Sequence, residues 1–307
     1  MFIVTTNPDK REGKLYRHMV ICSQIALTVL SLYWSMFMAP VFLFPFPGGY
    51  SMGIMWTTFG IKSHSQYTIA CFLFGTYFLF LLSLVLARLK IIVRKESIFF
   101  FEDKYYVGLA LTGFCVQAIY PAIMFHLSQT SLIDQKEYVR EKNPNLMYLF
   151  DIENITIYNS NPYFVIYCIG LVIGIPAAGV TYAVVSFLVI YEIRMQQIRM
   201  SKASRNFHIR CLKNLLLHHT ATLIFCAVAP TIMASCLFVP PDYNTHGVLT
   251  VCHAAFSTSA IASALVMFLL NSNYRNYIIF RLFAKHITPT RTKVTIVSFK
   301  SKMPVNK

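Results

Sequence analysis

Charge is scarce in this sequence, and its absence is concentrated. Asp, Glu, Lys and Arg together make up 13% of 307 residues, against roughly 25% in soluble proteins. Six stretches contain none of the four: Met19–Pro45, Tyr67–Ala87, Tyr105–Leu127, Tyr163–Tyr191, Asn214–Pro240 and His246–Leu270. Proton relays, coupling-ion sites and paired-carboxylate chemistry need ionisable groups at membrane depth, so these spans lack the reagents for them. No His, Cys and carboxylate cluster at zinc-ligand spacing is present either. His218 and His219 are adjacent, point about 100° apart on a helix, and read as an interfacial polar pair rather than a metal site. Eight cysteines do not make a disulfide framework, because seven lie inside apolar runs as small packing residues and Cys211 lies in a basic segment. There is no internal repeat and no low-complexity segment. A cleavable signal peptide is not expected, since the first apolar run starts only at Met19, behind a polar lead, and is too long for a signal core.

What remains is apolar length. Tyr163–Tyr191 holds 29 residues without a charge, where a hydrocarbon layer about 30 Å thick needs roughly 20. In lipid only a helix or a closed barrel satisfies its own backbone. Glu192 and then Arg194, Arg199, Lys202, Arg205, Arg210 and Lys213 follow at once, which puts that end in the cytosol. The orientation propagates to every other span. Lys62, Lys136, Arg140 and Lys142 are then the outward cations, and the other 23 of the 27 Lys and Arg residues face inward. The expected topology is six spans with both ends cytosolic. The formal charge of +15 is spread over intervals between spans, so anionic lipid and topology explain it and nucleic acid is not a partner.

Several positions follow as candidates for function. Tyr120, His126, Tyr163, Tyr167, Thr231, Ser235 and His253 fall in the outer parts of the spans or near them, and aromatic and uncharged polar groups in an apolar setting suit a small-molecule pocket. Asn154-Ile155-Thr156 on the exterior side fits an N-glycosylation acceptor. Pro40, Pro121, Pro176 and Pro230 lie within spans and favour kinks, and Gly170, Gly174 and Gly179 favour close helix approach. Residues 1–287 are read as the bundle, closing with an amphipathic helix over Tyr274–Phe283 on the inner leaflet. Residues 288–307 form a basic cytoplasmic tail. No cofactor is expected.

The order of short motifs resembles a family. Pro40, Phe44-Pro45, Gly49-Tyr50 and Gly53 are similar to the exit of the second helix in nematode serpentine chemoreceptors of the Srh and Sri classes, within the Str superfamily. Pro230, and Ser263 through Met267 to Asn273-Tyr274-Arg275, resemble that group's sixth helix and its Ser-Thr…Met…Pro-Tyr-Arg ending. Here Asn273 replaces the usual proline, Ala264 a threonine, and Ser259 a frequent histidine. Asp-Arg-Tyr and Asn-Pro-x-x-Tyr are absent, so a rhodopsin-class receptor is not indicated. The resemblance implies an all-α polytopic transmembrane bundle, its six spans standing for helices 2–7. It places Phe2-Ile3-Val4 at the inner end of a first helix otherwise missing, so an N-terminally truncated receptor is expected. It also implies a chemosensory G-protein-coupled receptor, not an enzyme, that binds a small environmental ligand in the plasma or ciliary membrane of sensory neurons. Arg88, Arg94, Lys95, Arg199, Lys202, Arg205 and Arg275 would then face a heterotrimeric G protein. The alternative is a six-span channel or transporter, which would require a filter, an inverted repeat or a charged pathway.

Overall fold

A computed structural model describes residues 14–43, 46–94, 96–158, 161–196, 202–236, 239 and 245–270. Helix α1 (Lys14–Leu32) runs on as a π-helical turn over Tyr33–Met38. A hairpin, β1 (Pro40–Phe42) and β2 (Gly48–Ser51), and a one-turn helix α2 (Ile54–Thr57) lead to α3 (Ser63–Ile92). Then come α4 (Asp103–Phe114), a π turn at Cys115–Ile119, and α5 (Tyr120–Leu127). A connecting segment of α6 (Leu132–Lys142), a 3₁₀ helix (Pro144–Asp151) and β3 (Thr156–Ile157) precedes α7 (Pro162–Met195). Last are α8 (Lys202–Leu223), a π turn at Ile224–Val228, α9 (Ala229–Cys236), α10 (His246–Ser257) and α11 (Ser259–Leu270).

The all-α membrane bundle is what the sequence leads one to expect, but its spans are not six equal rods. Among the described residues four helices are long and apolar enough to cross a membrane: His18–Met38, Ser63–Ile92, Lys104–Leu127 and Pro162–Met195. A fifth arises if α10 and α11 count as one span bent by 51°. That bend falls at Ser257-Thr258-Ser259, where the Thr258 hydroxyl donates back to the Ala254 and Ala255 carbonyls and competes with the helix ladder. The expected span Asn214–Pro240 is helical from 202 to 236, yet only Ile224–Met233 is apolar enough to register. Counting charges alone overlooked Asn214, His218, His219, Thr220 and Thr222, which are uncharged but polar. The expected amphipathic helix and basic tail lie outside the described residues.

Helix α3 is the centre of the bundle, packing against α1, the α4–α5 rod and α7. Its length is buried at Tyr77, Leu81, Leu84 and Val85. Two core clusters form along it. Leu84, Val85 and Leu89 meet Val189 and Ile193 of α7 and Leu212 and Leu215 of α8, while Tyr77 and Leu81 meet Leu27, Leu30, Cys226 and Phe256.

Prolines explain two of the three π turns. Pro121 and Pro230 each stand two residues beyond the end of one, inside the helix that continues it, whereas Pro40 opens strand β1 after Ala39 in the left-handed region and lies outside the helix. Proline lacks the N–H and its ring collides with the carbonyl four residues earlier, so widening the preceding turn moves that carbonyl aside. For Pro121 the carbonyl is that of Gln117. It lies against Gly75 of α3, where an added Cβ would come within 1.8 Å of the Gln117 oxygen. Gly75 therefore admits a backbone deprived of its usual donor. Gly170, Gly174 and Gly179 have nothing within 4 Å of such a Cβ, so the close approach expected of them does not occur. Pro176 sits inside α7 with no π turn before it.

The end of the bundle expected to face outward is capped by a sheet in the order β1-β2-β3. Val41 pairs with Tyr50, and Gly48 with Ile157. A Cβ on Gly48 would come within 2.4 Å of the Thr156 carbonyl oxygen and one on Gly49 within 2.3 Å of that of Val41, so the strands approach over bare backbone. Asn154, in the left-handed region at φ 65°, ties the sheet to the bundle. Its Oδ1 accepts the Ser63 N–H at 2.6 Å, and its Nδ2 donates to Ser51 Oγ at 2.9 Å. Lys62 gives α3 no side-chain cap; Asn154 supplies one from 91 residues away.

Two substitutions test this packing. Gly75→Val should lower the melting temperature of detergent-solubilised protein by several degrees or abolish recovery, whereas Gly108→Val, with open space around it, should not; equal melting of the two variants would refute the backbone contact. Asn154→Ala should cost about 1–2 kcal/mol in protein made without glycosylation, and Thr156→Val, which equally removes the acceptor pattern, should cost less. Matching losses would show that the carboxamide bonds carry no weight.

Candidate ligand-binding site

Beneath the sheet the helices leave a cavity of about 170 Å³. Two helices wall it with the same spacing. Tyr67, Ala70, Cys71 and Phe74 of α3, and Phe164, Tyr167, Cys168 and Leu171 of α7, stand at i, i+3, i+4 and i+7, which is one helical face. Leu30 and Trp34 come from the first rod, Phe125 from α5, Pro230 and Met233 from α9, and Leu249 and Phe256 from α10. Phe42, Pro47, Gly48 and Tyr158 form the roof. The rings are interlocked: Trp34 meets Phe256 edge-on at 4.7 Å, Phe125 meets Tyr167 at 5.0 Å, and Tyr158 stacks on Phe164 at 4.7 Å.

The polar atoms of the wall are almost all committed. Trp34 Nε1–H donates to His253 Nδ1 at 3.2 Å, so that imidazole nitrogen carries no proton. His64 is buried between the Tyr158 hydroxyl on Nδ1 at 3.0 Å and the His126 carbonyl on Nε2 at 3.1 Å. A carbonyl only accepts, so Nε2 holds the hydrogen and Tyr158 donates to Nδ1. Burial, with Tyr67 and Cys71 nearby, raises the Tyr158 hydroxyl well above the ordinary phenol range, and it stays neutral. Tyr167 Oη and Cys71 Sγ share a contact of 2.9 Å. The Tyr67 hydroxyl is buried and has no hydrogen-bond partner among the described residues.

The candidates named from sequence divide. Tyr167 lines the cavity, and His253 stands directly behind Trp34. Tyr120 and Tyr163 are 47% and 43% exposed and take no part in the wall. His126 contributes its carbonyl to His64 while its side chain is exposed. The hydroxyls of Thr231 and Ser235 fold back onto the carbonyls of Ala227 and Thr231 in their own helix. Sequence reasoning missed Trp34, Tyr67, Cys71, Tyr158 and Phe256. The i, i+3, i+4, i+7 repeat of aromatic and small residues on α3 and α7 was the available signal, and it is invisible to hydropathy where every face of a span is apolar.

At the inner end a second polar group joins α3 to α7. Glu192, fully buried, accepts from Arg94 Nε at 3.1 Å and from the Ser97 hydroxyl. Gln196 Nε2 reaches the Ile92 carbonyl. Of the inward cations, Arg88 is 1% exposed within the bundle, Arg94 is half-buried against Glu192, Arg205 is half-buried, and Lys202 is exposed. Lys95, Arg199 and Arg275 fall outside the described residues.

Compared with known families, residues 1–278 of the 307 match the profile of the serpentine type 7TM GPCR chemoreceptors of class Sri. No curated protein matches the chain. The match covers the bundle, its walled cavity and both polar ends, and decides between the two classes that the motifs left open: the chain belongs to the Sri family of serpentine seven-helix chemoreceptors.

Proposed function

We propose that this multi-pass membrane protein is a chemosensory receptor that binds a small environmental molecule in the outer cavity and then engages a heterotrimeric G protein at its inner face. The observation that carries the reading is that α1, α3, α5, α7, α9 and α10, or the turns continuing them, all wall one cavity. An occupant thus lies among six helices at once. If it fits one helix arrangement better than another, its differential affinity alone shifts the population, and no reacting group is needed. That suits a site lined by no charged side chain, in a family of receptors rather than enzymes.

Arg88, Arg94, Lys95, Arg199, Lys202, Arg205 and Arg275 are the proposed G-protein contacts. Arg94 is held by Glu192 and Arg88 is buried, so both would become available only when the inner ends of α3 and α7 part. In this reading the Arg94–Glu192–Ser97 group holds the resting state. Asn154 is the proposed exterior glycan acceptor, with the Ser51 contact competing for its Nδ2. Sensory-neuron plasma or ciliary membrane is the proposed location.

Nucleotide exchange on a heterotrimeric G protein by the purified chain in lipid tests this. Glu192→Gln keeps the side-chain volume and removes the charge, and should raise basal exchange by at least roughly five-fold, the low end of ordinary coupling between sites. Unchanged exchange with an intact melting temperature would remove the latch from the account. Ligand-independent ion flux through the same preparation would move the assignment to a channel.

A further inference from the structure

The polar atoms around the cavity are turned away from it or already paired, and that narrows what can sit inside. Its volume of about 170 Å³ is close to that of engineered apolar cavities near 150 Å³, which stay dry and accept benzene. An occupant of roughly six to ten non-hydrogen atoms fits, and it has no tightly held water to displace. Among the described residues no Asp, Glu, Lys or Arg lines the wall, and an ion buried without a partner is strongly disfavoured. Trp34 Nε1–H is spent on His253 and Tyr158 Oη on His64. Tyr167 Oη and Cys71 Sγ are committed to each other, and a thiol hydrogen is only a weak donor. The Tyr67 hydroxyl oxygen has under 1 Å² of accessible surface and lies against Gly49, 2.8 Å from where a Cβ of that glycine would stand, so it is out of an occupant's reach. The roof is closed in the same way: the Pro47 carbonyl accepts the Tyr158 N–H at 2.7 Å, and the Gly48 carbonyl accepts the Leu43 N–H at 3.0 Å. What the cavity presents instead is rings and sulfur. Trp34, Phe74, Phe164 and Phe256 supply rings, and Cys71, Cys168 and Met233 bring sulfur from three helices. Both favour an aromatic partner, rings through edge-to-face or offset contact and sulfur at the ring edge.

We propose that the cavity takes an uncharged aromatic molecule of this size that carries no hydrogen-bonding group and is held by ring and sulfur contacts alone. The proposal rests on the cavity being the receptor's ligand site, and it adds the chemical class of the ligand. A hydroxyl added to the ring would be buried without a partner. A carboxylate or ammonium analogue would be refused.

The test uses the full chain in lipid nanodiscs with benzene, cyclohexane, phenol, benzoate and benzylammonium as probes. Binding is read from the melting temperature as a function of probe concentration. Benzene should bind about two- to ten-fold more tightly than cyclohexane, the equivalent of one aromatic contact. Phenol should bind about ten-fold or more weakly than benzene, the equivalent of one buried hydroxyl without a partner, and the two ions should give no shift. Tyr167→Phe should leave this order unchanged. Ala70→Leu, which fills the cavity, should abolish the benzene shift and so separate cavity binding from partition into lipid. A fluorine resonance of fluorobenzene that saturates with probe concentration, and that benzene displaces but equal phenol does not, makes the same separation without a variant. Phenol or cyclohexane binding as tightly as benzene, stabilisation by either ion that Ala70→Leu removes, or no saturable binding of benzene would overturn the proposal. Binding in the expected order but no effect on nucleotide exchange would overturn the receptor reading and leave the ligand chemistry standing.

Discussion

In hydrocarbon a helix must pair its own backbone, and a proline within it forbids that locally. The structure depends on how this chain reconciles the two. At Pro121 and Pro230 the preceding turn widens into a π helix, and a third π turn ends the first rod just before the strand at Pro40. Each widening lies beside the cavity: Trp34 belongs to the one before the strand, Phe125 lies six residues past the one before Pro121, and Pro230 and Met233 follow the last. The distortion is met by a compensating absence on the neighbour, since Gly75 offers no Cβ to the carbonyl that Pro121 displaces. Straight rods would pack closer along their length. Rods widened near one end leave room there.

That room is kept from collapsing by the roof and by the rings. The β1-β2-β3 sheet is pinned through Asn154 to the first turn of α3, and α6 and the 3₁₀ helix support it through Phe46, Val139, Leu149 and Ile157. Below it, polar atoms are satisfied in pairs drawn from different elements: Trp34 with His253, His64 with Tyr158, Tyr167 with Cys71. Such pairs tie the walls to one another without offering charge to the cavity. The opposite end of α3 is held differently, by one buried carboxylate between Arg94 and Ser97. A single central helix thus carries a neutral, aromatic end and an ionic end.

Much of this was legible in the sequence, for physical reasons that can be named. Charge-free length identifies a membrane helix because lipid punishes ions heavily, so the bundle and four of its spans, expected at Met19–Pro45, Tyr67–Ala87, Tyr105–Leu127 and Tyr163–Tyr191, were legible to within a few residues; the family was legible in the order of short motifs instead. Hydropathy fails one level down. Along Asn214–Pro240, histidine, asparagine and threonine are polar without being charged, and the span is shorter than expected. Within α7 every face is apolar, so nothing marked Phe164, Tyr167, Cys168 and Leu171 as facing a cavity and Tyr163 as facing away. Trp34 went unnamed because its role depends on a partner 219 residues distant. The sheet was hidden as well, since its strands are two to four residues long and two of them begin at Pro40 and Gly48, residues that ordinarily argue against a strand.

The central claim is that filling the neutral end of the bundle changes the ionic end. Spin labels introduced at positions 91 and 195, where Ile91 and Met195 are exposed near the inner ends of α3 and α7, would report the distance between those ends by double electron–electron resonance. The account predicts that saturating benzene, a molecule that apolar cavities of about this volume accept, shifts the distribution toward longer distances, and that Ala70→Leu, which fills the cavity, removes the shift. An identical distribution with the cavity empty and demonstrably filled would contradict it.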